Sequence, residues 1–443
     1  LVKISKKDIE NRSIPKSVKY WSLDEVIERG LKTPFNGSDN EAILGLEQAL
    51  LKSVDRQQLA DVPIGAFLSG GIDSSLVVSL MQSLSEQPIN TFTIGFHDKN
   101  FNEASQALSI ANYLGTDHHE LYVSATDALH VIPRLPLLYD EPFADPSQIP
   151  TFMVSKMARK TVTVALSGDG GDELFGGYNR YLLSRKVWSK LHRVPLQLRV
   201  LIAKVLNSPS PRVFEIFFRL LLPLVPRNLR FSQPIDKLFK IIDILTVSNP
   251  RDIYHILTSQ PMFMENIILG SKGPEANPLG HPLLQSDLGL EHWMMALDTQ
   301  TYLPDDVLVK VDRAAMGVSL ETRVPLLDHE IVEMAWSLPL ELKIRDGQGK
   351  WILRQILHKY VPKNLFDNAK KGFGVPLADW LRGPLRDWGE DLLDENKLSN
   401  QGYINPVYVQ KIWREHQEGK QNWQYKLWTI LMFQAWYESQ YAS

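Results

Sequence analysis

Along the chain, apolar positions recur first at helical and then at strand spacing. From Ser38, a residue type that caps helix starts, Ile43, Leu44, Leu46, Leu50, Leu51 and Val54 keep near the 3.6-residue period and predict an amphipathic helix. It leads into a short apolar run, residues 62–68, that stops at Ser-Gly-Gly and reads as a strand. Residues 89–96 and 118–123 read as further strands, with a helical stretch at 102–114 between them. A last strand at 162–166 again ends in Ser-Gly. Strands alternating with helices at this spacing predict an α/β fold, a parallel sheet with helices on both faces. From about Tyr181 the pattern changes to long helical segments separated by prolines, without strand alternation, ending in an aromatic-rich helix at 422–439. There Trp423, Leu427, Trp428, Leu431 and Trp436 keep helical spacing, which predicts core packing rather than a ligand box.

This organisation divides the chain. Residues 1–37 are polar and punctuated by Pro15, Gly30, Pro34 and Gly37, the expected composition of a linker or the end of a preceding domain. Residues 38–190 form the α/β unit, 191–296 a helical insert where the sequence says least, and 297–443 a second helical part. The most apolar stretch, 213–225, is interrupted by Glu215, Arg219 and Pro223 and falls short of the roughly 20 residues a membrane span needs. It reads as a buried helix, and no membrane partner is expected.

Composition narrows the function classes. The 443 residues carry 48 Lys+Arg against 51 Asp+Glu, a net charge of −3, and 44% are hydrophobic, an ordinary soluble balance without the dominant basic footprint that nucleic acid requires. No nucleic-acid partner is expected. The chain has no cysteine, so disulfides, cysteine metal sites and a cysteine nucleophile are excluded on it. That composition fits a reducing cytoplasm.

The chemistry concentrates in Ser69-Gly70-Gly71-Ile72-Asp73-Ser74-Ser75, between an apolar strand and the start of a helix. Two glycines let the backbone turn tightly and approach a ligand, and the amides of the loop and helix start suit an anion such as a phosphate. Asp73 would repel a phosphate unless a divalent cation lies between them, which implies Mg²⁺. No Gly-Lys-Ser/Thr follows, so this is not the Walker A pattern. A second glycine-rich run, 167–178 (SGDGGDELFGGY), follows the last predicted strand. Strand C-terminal ends line the ligand crevice of such sheets, so both motifs can meet at one site, with Asp172 as a second carboxylate for the cation.

The first motif resembles the PP-loop of the ATP pyrophosphatases. Together with 167–178, 303–328 (LPDDVLVKVDRAAMGVSLETRVPLLD) and 370–386 (KKGFGVPLADWLRGPLR), it resembles the synthetase domain of glutamine-dependent asparagine synthetases, over about residues 38–440. The resemblance implies a ligase of the amidotransferase type with an ATP pyrophosphatase domain at 38–190. ATP adenylates a carboxylate, L-aspartate by family precedent, pyrophosphate leaves, and ammonia attacks the acyl-adenylate to give the amide and AMP. It implies that Leu68 and Ile94 flank the adenine or ribose, that Ser69, Gly70, Gly71, Asp73 and Ser74 cradle the pyrophosphate, and that Ser167 and Gly168 contact the nucleotide. Asp73 and Asp172 would bind Mg²⁺. Asp169 would lie near the acyl-adenylate and the incoming ammonia, where relatives often carry Glu. Lys370, or its neighbour Lys371, would neutralise charge on the α-phosphate. The Asp145-Pro146-Ser147-Gln148 stretch is expected to line the acceptor pocket.

Ammonia in that family comes from a glutaminase domain that uses an N-terminal cysteine, so here the donor would be a removed N-terminal domain, a separate chain or free ammonia. A homodimer is one option for assembly. Other acceptor carboxylates, including those of polysaccharide biosynthesis, and a non-catalytic nucleotide-binding scaffold are the alternatives. Elsewhere the plainer readings are preferred. His118, His119 and Glu120 are structural polarity, because neighbours in a strand point to opposite faces. Asp305 and Asp306 are helix-start acids after Pro304. Glu321, Arg323 and Asp328 match the family, and an internal Arg–carboxylate clamp between helices explains them equally well.

Overall fold

The computed structural model describes residues 2–15, 17–96, 102–207, 242–258, 264–271, 288–366 and 374–441. Its centre is a parallel sheet of β1 (Ile64–Phe67), β2 (Asn90–Phe96), β3 (Asp117–Val123), β4 (Val164–Leu166) and β5 (Glu321–Arg323), in the order β3-β2-β1-β4-β5. Ala66 of β1 stands opposite both Thr91 of β2 and Leu166 of β4. Along β2, every residue after Asn90 is buried, as expected of a parallel strand covered on both faces. The α/β expectation and its four strands are therefore observed. The reading of the second half as free of strands is corrected by β5, a three-residue strand whose pairing with β4 comes from far along the chain.

Adjacent residues of β4 enter different cores. Leu166 joins Ala66 and Leu68 in a cluster with helices Asp39–Gln58, Ile72–Ser83 and Trp351–Leu357. Ala165 joins Phe92, Ile94 and Phe96 in a second cluster with helices Gln148–Ala158, Val309–Met316 and Gln424–Tyr441. The alternation follows from the two-residue period of a strand. Helix Asp39–Gln58 begins as predicted: the Ser38 hydroxyl accepts the Glu41 amide, and the Glu41 carboxylate accepts the Ser38 amide. Leu44, counted in its apolar stripe, is exposed, whereas Ile43, Leu46, Leu50 and Val54 are buried. In the terminal helix Leu427, Trp428 and Leu431 are core residues, as their spacing predicts.

Residues 1–37, expected as a linker, contain helix Leu23–Lys32, which buries Val26 and Ile27 against helix His329–Ser337. A Cβ on Gly30 would stand 2.5 Å from the Trp336 carbonyl oxygen, so glycine permits the close crossing. No described helix is long and apolar enough to cross a membrane. Strands β2 and β3 extend the sheet on one side of β1, and β4 then lies on the other. That reversal opens a crevice beyond the C-terminal ends of β1 and β4, where both glycine-rich runs begin.

Candidate active site

Beyond β1 the chain turns at Gly70, which adopts φ +78°, and enters helix Ile72–Ser83 with Gly71 as its cap residue. Left-handed backbone of this kind favours glycine. The Ser74 hydroxyl closes the loop, accepting the Ser69 amide at 3.1 Å and lying 2.9 Å from the Ser69 hydroxyl. The Gln106 amide donates to the Gly70 carbonyl at 2.9 Å and so fixes the turn from outside. The N-terminal amides of a twelve-residue helix thus face the crevice.

The second run packs directly onto the first. A Cβ on Gly168 would lie 2.6 Å from the Ser74 backbone nitrogen, and one on Gly171 would lie 2.5 Å from the Asp73 carboxyl carbon. Glycines at both places let Asp73 and Asp172 approach one another. Between them stands Lys350, whose ammonium is 2.8 Å from Asp172 Oδ1 and paired also with Asp73. Lys350 caps helix Trp351–Leu357 in a left-handed conformation, φ +58°, and its amide donates to the Phe175 carbonyl at 2.9 Å. Burial opposes its charge, but Asp172 and Asp73 outweigh burial and push its pKa up. Sequence reading passed over this residue. The signal available was a cation after Gly347 and Gly349, immediately ahead of the helical pattern of 351–357.

The other predicted residues fall around this pair. Ser167 donates its hydroxyl to Asp169, and burial pushes the Asp169 carboxyl up against that bond. Glu173, buried behind Asp172, accepts the Tyr178 hydroxyl at 2.6 Å; burial and the Asp172 charge push its pKa up to about 7. Leu68 and Ile94 are 1% and 5% exposed and belong to different cores, so what they offer a nucleotide is backbone rather than side chain. The Leu68 carbonyl accepts the Thr93 hydroxyl. Lys370 and Lys371 lie outside the described residues.

A family model described as asparagine synthase matches residues 45–438. The chain belongs to the asparagine synthase family. It is 30% identical over 407 residues to a Bacillus subtilis protein named asparagine synthetase (glutamine-hydrolysing) 1, covering 91% of this chain and 60% of that one. It is 33% identical over 419 residues to a putative asparagine synthetase of Mycobacterium bovis, covering 93% and 60%. A Penicillium rubens protein named amidase chyE is 25% identical over 396 residues, covering 83% and 57%. The chain thus spans about 60% of the length of the first two relatives.

The structure revises the clamp reading of residues 321–328. Arg323 does not clamp two helices: it pairs at 2.6 Å with Glu321 on its own strand and donates to the carbonyls of Gln57 and Leu59 at 2.8 and 2.9 Å. Asp328 instead caps helix His329–Ser337. Asp305 and Asp306 stand, as expected, in the first helical turn after Pro304, here the π-helical turn Leu303–Leu308, which runs into helix Val309–Met316. There Lys310 reaches back to Asp145 at 2.6 Å, which ties this asparagine synthase motif to the stretch expected to line the acceptor pocket.

Proposed function

We propose that the chain is the synthetase part of an asparagine synthetase-like enzyme, which adenylates a carboxylic acid with ATP and converts the acyl-adenylate to an amide. L-Aspartate is the first acceptor to consider, and the amine is ammonia supplied from a glutaminase unit or from solution. The observation that carries this reading is the convergence of Asp73, Asp172 and Lys350 beside the Ser69–Ser74 loop. Amides of loop and helix suit the β- and γ-phosphates that leave as pyrophosphate. Two carboxylates already gathered around one cation are a donor set that fits Mg²⁺. Bound there, Mg²⁺ would supply charge neutralisation for the phosphates.

The roles of this chain's residues follow from charge. In the first step an acceptor carboxylate oxygen bonds to the α-phosphorus and the bond to the β-phosphate oxygen breaks. Negative charge grows on the phosphate oxygens, and Lys350, freed from its carboxylates, is the described cation placed to stabilise it. That is the role expected of Lys370. In the second step ammonia nitrogen bonds to the acyl carbon and AMP departs. Asp169, its pKa raised by burial, is placed by Ser167 to orient the ammonia or take its proton. Glu173, its pKa raised by burial and by the Asp172 charge, puts less negative charge behind Asp172 than an ordinary carboxylate would.

The test is product formation from Mg·ATP, ammonium and a panel of carboxylic acids, followed by mass analysis. AMP, pyrophosphate and asparagine from L-aspartate are expected. An amide of another acid would keep every role above and change the acceptor. Silence across the panel despite ATP binding would leave a nucleotide-binding scaffold.

A further inference from the structure

Residues 143–146, Tyr302 with the π-helical turn Leu303–Leu308, and the terminal helix Gln424–Tyr441 line an open cleft of about 420 Å³. Phe143, Tyr302 and Tyr425 provide aromatic walls, and Tyr139 stacks behind Phe143 with ring centroids 4.5 Å apart. The cleft adjoins the glycine-rich run: Tyr302 meets Tyr178 edge to face at 5.8 Å, and Tyr178 is the residue that donates to Glu173. π-Helical turns are rare and concentrate at functional sites.

Charge gives the cleft its character. Asp145, Asp305 and Asp306 line it, and Lys310 is the cation held against it. Asp145 is already engaged by Lys310 at 2.6 Å and by the amide and hydroxyl of Ser147 at 2.9 and 2.8 Å. Burial and the Asp145 charge push the Asp306 carboxyl up to about 6, against Lys310 and the Tyr302 hydroxyl. Among the described residues, neither Asp305 nor Asp306 has a lysine, arginine or histidine at ion-pair distance. Among the described residues, three carboxylates therefore face one ammonium, between aromatic rings whose faces attract cations. The volume far exceeds the roughly 30 Å³ share of one water molecule, so there is room for a cation attached to carbon. Lys310 also acts electrostatically on Asp306 and Asp169, which links the cleft to the centre where the amide would form.

We infer that this cleft binds a protonated amine, NH4+ or R–NH3+, with Asp305 and Asp306 as its positioning carboxylates and Lys310 as the charge that links them to Asp169. The inference deepens the amidation reading and rests on it. That reaction involves two such groups: the amine nucleophile, which reaches the enzyme as an ammonium ion at neutral pH, and the α-ammonium of an amino-acid acceptor. The N–H donors of such a cation, three on R–NH3+ and four on NH4+, match the acceptor oxygens that Asp305 and Asp306 present.

The test measures KM for each substrate in the wild type, Asp306→Asn and Asp305→Asn, the second at an exposed position where folding is not at stake. A nucleophile in the cleft raises KM for ammonium tenfold or more, with methylamine following and KM for ATP within twofold. The α-ammonium of the acceptor in the cleft raises KM for L-aspartate by a similar factor and leaves KM for succinate, which lacks that group, unmoved. Unchanged KM for ammonium and for aspartate in both variants overturns the inference. Aspartate-dependent ATP–pyrophosphate exchange in the wild type, without amine, separates the two levels. Exchange with unmoved KM values defeats the cleft alone, whereas no exchange with any acid defeats the amidation reading and the cleft with it.

Discussion

The crevice and the cleft each pair a lysine largely withdrawn from solvent with carboxylates, but they are built from different material. In the crevice, Lys350 meets Asp73 and Asp172 on glycine-rich loops, where the missing Cβ atoms of Gly168 and Gly171 let backbone and carboxylates crowd together. In the cleft, Lys310 meets Asp145 between aromatic walls that leave about 420 Å³ open. Backbone amides suit the phosphates of a nucleotide, whereas rings and surplus carboxylates suit an ammonium group. A further lysine, fully buried, shows what burial does alone. Lys343 has the Trp336 ring 4.7 Å from its ammonium and, among the described residues, no hydrogen-bond partner, and burial lowers its pKa to about 7. Burial lowers all three; only where carboxylates stand close does the shift reverse.

The largest break in this contrast is expected from Lys350→Met. Carboxylate-dependent ATP–pyrophosphate exchange should fall about 100- to 1000-fold, the usual cost of losing a group aimed at developing charge. Circular dichroism should remain that of the wild type; a loss of only a few-fold would move the charge-stabilising role elsewhere. Gly168→Ala tests the glycine contact. A Cβ 2.6 Å from the Ser74 nitrogen has backbone rather than a flexible side chain to displace, so about 1–3 kcal/mol of stability should be lost, read by urea unfolding. Gly71→Ala, which meets only the Ser69 hydroxyl at 3.3 Å, should cost less.

The cleft variants Asp306→Asn and Asp305→Asn come next, with their tenfold rise in one KM. Smallest is the effect of Lys343→Met, visible mainly in pH dependence. Between pH 7 and the ordinary lysine pKa of 10.5, unfolding takes up a proton at Lys343, so this group makes the wild type more stable as pH rises through that window. The variant should lose that part of the slope in unfolding curves at pH 7 and 9.

Much of this arrangement was legible in the sequence where local pattern and long-range partner coincide. The 69–75 loop could be placed because an apolar run precedes it and a helix follows, and β4 was found by the same punctuation. Strand β5 was not: three residues, Glu321, Thr322 and Arg323, carry no alternation, and pairing with β4 alone makes them a strand. Helix Leu23–Lys32 was hidden among turn formers, since the surface that buries Val26 and Ile27 lies some 300 residues away in sequence. Lys350 escaped for a similar reason. A single lysine has no motif of its own, and only folding sets it between Asp73 and Asp172.

The most direct test of the adenylation centre is exchange of labelled pyrophosphate into ATP by the wild-type chain, with Mg²⁺ and L-aspartate or another carboxylic acid and no amine present. Exchange that requires both the acid and Mg²⁺, and that is lost in Lys350→Met, is the predicted result. Exchange that proceeds without any acid, or its absence with every acid tried while ATP still binds, would contradict an adenylation centre at Asp73, Asp172 and Lys350.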